Sequence, residues 1–172
     1  MLRKLIVTIF ILVCFVMQCS VFSAFSLAGI IPNLMIILTS AFGLMRGEKE
    51  GLLTGFFCGL LSDVFFGDTL GLYAMLMMYI GYLNAKFSRI FYPEDIKLPI
   101  ALITVSDLTY GVLCYIILFL LQRRFDFPYY FARIILPEAL YTVIVTLFLY
   151  PLILRVNERL EAREKRRAQK FV

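Results

Sequence analysis

Gly43-Leu44-Met45-Arg46-Gly47-Glu48-Lys49-Glu50-Gly51-Leu52-Leu53-Thr54-Gly55-Phe56-Phe57-Cys58-Gly59-Leu60-Leu61-Ser62-Asp63 is the stretch that decides how this chain folds. Glycine returns at every fourth residue, and the next rung is Asp63. Residues four apart lie nearly above one another on a helix, so the row cuts a groove along one face. Leu52, Leu53, Phe56, Phe57, Leu60 and Leu61 fill the surface around it. In water each glycine would cost such a helix roughly 1 kcal/mol relative to alanine. In a bilayer no hydrophobic drive brings helices together, and a row of small residues becomes a packing surface where backbones meet. Gly43 and Gly47 fall in a preceding helix and its charged turn, so the continuous groove is Gly51, Gly55, Gly59 and Asp63. A four-residue step winds slowly around a helix of 3.6 residues per turn, which favours a right-handed crossing. The row fits a helix of this chain or of a partner, and internal packing is the simpler reading.

Composition agrees with a membrane protein. The chain of 172 residues is 62% hydrophobic, with mean hydropathy +0.89; soluble domains are about 45–50% apolar. Six apolar stretches approach the roughly 17–25 residues that cross a bilayer: 5–24, 30–45, 50–66, 69–86, 98–121 and 133–154. The expected fold is an all-α integral membrane domain over 1–154 with a basic tail over 155–172. Arg46 to Glu50, Tyr92-Pro93-Glu94-Asp95 and Gln122-Arg123-Arg124 are connections too polar for hydrocarbon. Arg3 and Lys4 followed by an apolar run resemble a signal peptide, but the run outlasts a cleavable core of about 7–15 residues. Gln18 before Cys19 also argues against lipoprotein cleavage, so the first span reads as retained. With both ends inside, fourteen of the seventeen basic residues are cytoplasmic, and only Arg123, Arg124 and Arg133 are not. The positive-inside rule therefore predicts N-in, C-in.

Little in the sequence suggests catalysis. There is no His, the commonest general base and metal ligand. Cys14, Cys19, Cys58 and Cys114 lack metal-ligand spacing and read as small hydrophobes. Neither a nucleophile elbow nor a zinc-protease motif is present. Catalytic residues, cofactors and metals are accordingly expected to be none. Intramembrane acids are the remaining candidates. Asp107, deep in Thr104-Val105-Ser106-Asp107-Leu108-Thr109-Tyr110-Gly111, reads as an interhelical polar tie satisfied by its neighbours, with Gly111 admitting another helix. Glu138 follows Pro137; with Pro137 in a first helical turn it would sit shallow at the helix N-terminus, with Arg133 as a further partner. Asp63 would be satisfied by a neighbouring helix or loop, and Asp68 reads as the N-cap of the fourth span. Tyr73, Met75, Met77, Met78, Tyr79 and Tyr82 read as core. The tail, with Glu158, Glu161 and Glu164 among its bases, reads as a solvated helix touching anionic lipid or a cytoplasmic partner. It carries no pattern for nucleic acid.

Several landmarks recur in one order. Gln18-Cys19-Ser20 ends the first span and Pro32-Asn33-Leu34 opens the second. Arg46-Gly47-Glu48 makes the turn, Gly51 to Asp63 follows, and Gly71-Leu72 and Gly81-Tyr82 come after. Over nearly its whole length the chain resembles the bacterial rod shape-determining protein MreD family, with Cys19 where Thr or Ser is expected. The resemblance implies a non-enzymatic inner-membrane subunit of the elongation machinery that builds side-wall peptidoglycan. It implies an MreC-type single-span periplasmic partner, with the elongation transpeptidase, RodA and an MreB-type filament in the same assembly. It also implies a six-helix bundle similar to the S subunits of energy-coupling-factor transporters, and no catalytic residue carries over. A small-molecule-binding S-type subunit is the alternative; it predicts an outward pocket where Asp63, Asp107 or Glu138 meets the ligand.

Overall fold

The computed structural model describes residues 2–22, 24–26, 29–67, 70–90, 96–117 and 127–168. Asp68, Arg123 and Arg124 lie outside these residues. The described residues are mostly helical: α1 Leu2–Met17, α2 Leu34–Arg46, α3 Glu48–Phe66, α4 Leu72–Lys86 with a 3-10 turn Phe87–Ile90 after it, α5 Lys97–Tyr115, a single turn α6 Phe127–Tyr130, and α7 Leu136–Ala168. A π-helical turn, Gln18–Phe22, extends α1, and another, Phe131–Ile135, joins α6 to α7.

Side-chain bonds fix the direction of each helix. Gln18, past the end of α1, accepts from the first N–H of α2. Only Gly47 separates α2 from α3; its φ of +86° is a left-handed turn that glycine makes without strain. Asp63 near the end of α3 meets the start of α4, and Gly81 of α4 returns to Gly43 of α2. Thr142 of α7 lies at Asn33, and Asn157 lies at Arg46. The bundle thus has an Asn33 end and an Arg46 end, and successive long helices alternate between them.

α2 is the axis. Every residue from Leu34 to Leu44 is buried, and α1, α3, α4, α5 and α7 all pack against it. Its 13 residues span about 20 Å, against a hydrocarbon core of about 30 Å. It is walled in by protein, so it needs no length of its own to meet lipid. By length and hydropathy three segments suffice to cross a membrane: Leu5–Phe22, Lys97–Tyr115 and Phe127–Arg163. α2 and α4 are too short for that test, and α3 carries Glu48, Lys49, Glu50 and Asp63.

One expectation at the last span is corrected. Pro137 does not open a helix, because the helical path already runs through α6 and the π turn. Proline has no N–H for the carbonyl four residues back, and its ring crowds that carbonyl. The wider π turn sits immediately before it, closed by the Leu136 N–H donating to the Phe131 carbonyl. Glu138 is therefore half-buried within a continuous helix rather than at a free N-terminus. α7 runs through Pro151 and on into the basic segment.

Candidate functional site

The glycine row of α3 is filled by α4, running antiparallel. A Cβ at Gly51 would stand 2.6 Å from the Gly81 carbonyl oxygen, and one at Gly55 2.7 Å from the Met77 carbonyl carbon. At Gly59 it would stand 2.6 Å from the Ala74 nitrogen. All three contacts are backbone, which no rotamer change relieves. Gly43 joins them: its Cβ would lie 2.5 Å from the Gly81 oxygen, and a Cβ on Gly51 would lie 2.7 Å from Gly43 Cα. Gly43, Gly51 and Gly81 thus form a junction where three helix backbones touch. No partner helix enters this row without displacing α4.

Asp63 closes the row. Its Oδ1 accepts from the Tyr73 N–H at 2.8 Å and its Oδ2 from the Ala74 N–H at 2.9 Å. These N–H groups belong to the first turn of α4, where the helix itself supplies no acceptor. The residue at the cap itself is Gly71, whose φ of +98° suits glycine and which offers no side chain to cap with. Asp63 supplies that carboxylate from α3, and with 1% exposure it is a structural cap. Tyr82, half-buried at the other end of α4, carries the Lys86 ammonium 4.9 Å from its ring centre.

A second polar centre surrounds the N-terminus of α2. Pro32 and Asn33 are buried there. The Asn33 side chain accepts from the Ile36 N–H at 3.2 Å, while its own N–H donates to Thr142 Oγ1 at 3.1 Å. The Leu34 N–H donates to Gln18 Oε1 at 2.9 Å. Side chains from the ends of α1 and α7, with Asn33 itself, therefore cap α2, at the end that favours negative charge. Two acids stand beside it. Asp107 of α5 lies next to Thr142, and Glu138 of α7 meets the Asn33 side chain and lies within charge range of Asp107. The hydroxyls flanking Asp107 are turned elsewhere: Thr104 and Thr109 each donate to a carbonyl of their own helix at 2.7 Å, and Ser106 accepts from Asn84. Both Asp107 oxygens are buried without a hydrogen-bond partner. Gly111 instead receives Ile135, whose Cγ2 would lie 3.1 Å from a Cβ there. Beside Glu138 opens a cavity of about 910 Å³, lined by Ile30 and Ile31 on one side and by Arg133, Ile134, Pro137 and Glu138 on the other.

Two further ties join the helices lower down. Asn84 Nδ2 donates to Ser106 Oγ at 2.7 Å, to the Ile80 carbonyl at 2.9 Å and to Ser40 Oγ at 3.3 Å, binding α4, α5 and α2. At the Arg46 end, Arg46 donates from Nε to Asn157 Oδ1 and, at 3.3 Å, to the Asn157 carbonyl. Sequence reasoning singled out neither Asn84 nor Asn157. Asn84 is the one amide in its apolar helix, a signal that polar residues in lipid seek partners across helices; Asn157 is hidden among charged neighbours.

The description of rod shape-determining protein MreD matches residues 1–157, which takes in the whole bundle down to the Arg46–Asn157 tie. The chain belongs to the MreD family. No curated protein and no solved structure matches it. Membership makes it a rod shape-determining membrane protein, from a structural family rather than a known enzyme family.

The surface of this MreD chain inverts the pattern of a soluble helix. With the glycines of α3 turned inward, Leu53, Phe56, Phe57, Val64, Phe65 and Phe66 face out, between 39% and 64% exposed. α1 likewise turns out Leu5, Ile9, Leu12, Val13 and Val16. Between α1 and α3 run two shallow hollows of about 320 and 220 Å³, which share Thr8, Ile11 and Phe57. Such an apolar exterior on a bundle tied by buried polar groups suits lipid, or the span of another protein.

Proposed function

We propose that this protein is a non-enzymatic, six-span scaffold of the bacterial inner membrane, with both ends in the cytoplasm, serving the cell-elongation machinery. α2, α3 and α4 count as spans in this reading because the alternating bundle carries them from the Asn33 end to the Arg46 end. The positive-inside rule orients it: Arg46, Lys49, Lys86, Arg89, Lys97, Arg155, Arg159 and Arg163 belong to the Arg46 end, whereas Arg133 lies near the Asn33 end. Its partner is an MreC-type single-span protein, in an assembly with the elongation transpeptidase, RodA and an MreB-type filament. Nucleic acid has no part in it.

The observation that carries the scaffold reading is the outward apolar face of α1 and α3. The glycine row is closed by α4, so the partner's span seats against Thr8, Ile11, Phe57 and Leu60 instead. Co-purification from membranes tests this. Phe57→Ala with Leu60→Ala should lower recovery of the MreC-type partner several-fold at unchanged membrane level, while Phe148→Ala on α7 should leave it intact. Undiminished recovery removes the α1–α3 face from the interface. Rod-shaped cells that keep their shape when the protein is depleted would overturn the functional reading itself.

A further inference from the structure

We propose that the cavity at the Asn33 end holds the headgroup of a lipid carrying both a phosphate and a primary ammonium, Arg133 taking the phosphate and Glu138 the ammonium. This stands apart from the partner reading, and either can fail alone. At about 910 Å³ the cavity falls in the upper range of ligand sites, about 300–1,000 Å³. Its lining places one fixed cation and one carboxylate on the same helix face, among Ile30, Ile31, Ile134 and Pro137. A lone anion would be repelled by Glu138, and a lone cation by Arg133. A short zwitterion answers both charges, and the apolar lining answers the glycerol and chain that follow it.

Asp107 strengthens the assignment. Its exposure is 3% and both its oxygens are unpartnered, yet it lies within charge range of Glu138. Burial and closeness make it costly for both acids to carry charge, and an ammonium in front of Glu138 offsets that cost. The segment after α1 is tied to α7 nearby: the Tyr141 hydroxyl donates to the Phe25 carbonyl at 3.3 Å, and the Phe22 and Tyr141 rings meet at 6.2 Å. In the proposed orientation this end lies among the outer-leaflet headgroups. A free phosphorylated amine offers the same charges without the chains.

The test is lipid titration of the purified full chain, read by native mass spectrometry and by melting temperature. Four probes are compared: phosphatidylethanolamine, phosphatidylcholine, phosphatidylglycerol and O-phosphoethanolamine. Wild type should bind phosphatidylethanolamine about tenfold or more tighter than phosphatidylglycerol, the scale of one charge-assisted contact. It should also prefer it to phosphatidylcholine, whose quaternary nitrogen has no N–H to donate. Glu138→Gln should abolish the preference over phosphatidylglycerol. Arg133→Gln, at an exposed side chain, should weaken all three phospholipids and carries the test if Glu138→Gln melts early without lipid. Phe148→Ala, at a position 79% exposed, should change nothing. Equal binding of the three phospholipids, or a Glu138→Gln protein that keeps the preference, overturns the proposal. O-phosphoethanolamine binding as tightly as the lipid overturns the lipid as its source.

Discussion

Replacing Gly55 by alanine sets two effects of known size against each other. Alanine gains roughly 1 kcal/mol over glycine in a helix interior. Against that, the new methyl would stand 2.7 Å from the Met77 carbonyl carbon and 2.9 Å from Met78 Cα, where ordinary contact begins at 3.4 Å. The neighbours are backbone, and the Met77 carbonyl oxygen is nearer still, so α3 and α4 must part by at least about 0.7 Å there. A gap of that size forfeits about a quarter to a half of each contact's dispersion energy, and the glycine rungs on either side share the loss. Overpacking costs about 1–3 kcal/mol, and backbone neighbours that cannot turn aside put this site in the upper part of that range, about 2–3 kcal/mol. The steric term wins, for a net loss of about 1–2 kcal/mol. In a chain of this size 1 kcal/mol moves the melting point by about 2–4 °C, so the fall should be about 2–8 °C. The chain has no Trp, but Cys58 is fully buried, and a thiol-reactive dye would light up as it is uncovered. Exposed Cys19 is first replaced by Ser to remove background. Gly111→Ala is the control, because its Cβ would meet only the Ile135 side chain, which can turn aside. A Gly55→Ala protein as stable as the Gly111→Ala protein would refute the close α3–α4 contact.

Asp63→Ala strips two first-turn donors of α4 of their acceptor and should cost about 1–2 kcal/mol, with Asp63→Asn in between; the same thermal assay reads both, and no change for Asp63→Ala would dismiss the cap. A double-mutant cycle of Arg46→Ala and Asn157→Ala should show coupling of at least about 0.5 kcal/mol, since Arg46 Nε donates to the Asn157 side chain; additive losses would mean that the two side chains are not tied there.

The row of small residues was legible because it is a period, and a helix turns period into a face. What filled it was not legible, because α4 meets the row with Ala74, Met77 and Gly81, spaced by three and four among residues typical of any apolar helix. The N-cap of α4 was sought where caps stand in sequence, at Asp68; in the described structure the capping carboxylate comes from Asp63, eight residues before Gly71, and only folding brings it there. Asp107 was legible as a buried acid, but not that Thr104 and Thr109 would turn to their own carbonyls, a choice made by the local helix. Glu138 was misplaced because Pro137 follows both at helix starts and at π turns, and single-sequence reading favours the start. The outward aromatics of α3 gave no separate signal, since in lipid inner and outer faces are both apolar and only size tells them apart.

The whole account depends on the Arg46 end lying in the cytoplasm. With Cys19 replaced by Ser, Lys49→Cys at one end and Tyr129→Cys at the other, both exposed positions, should be probed in intact cells with a membrane-impermeant maleimide that reaches the periplasm. Labelling of Tyr129→Cys in intact cells, with Lys49→Cys labelled only after permeabilisation, is the result predicted. Labelling of Lys49→Cys from outside, or of both positions alike, would contradict it.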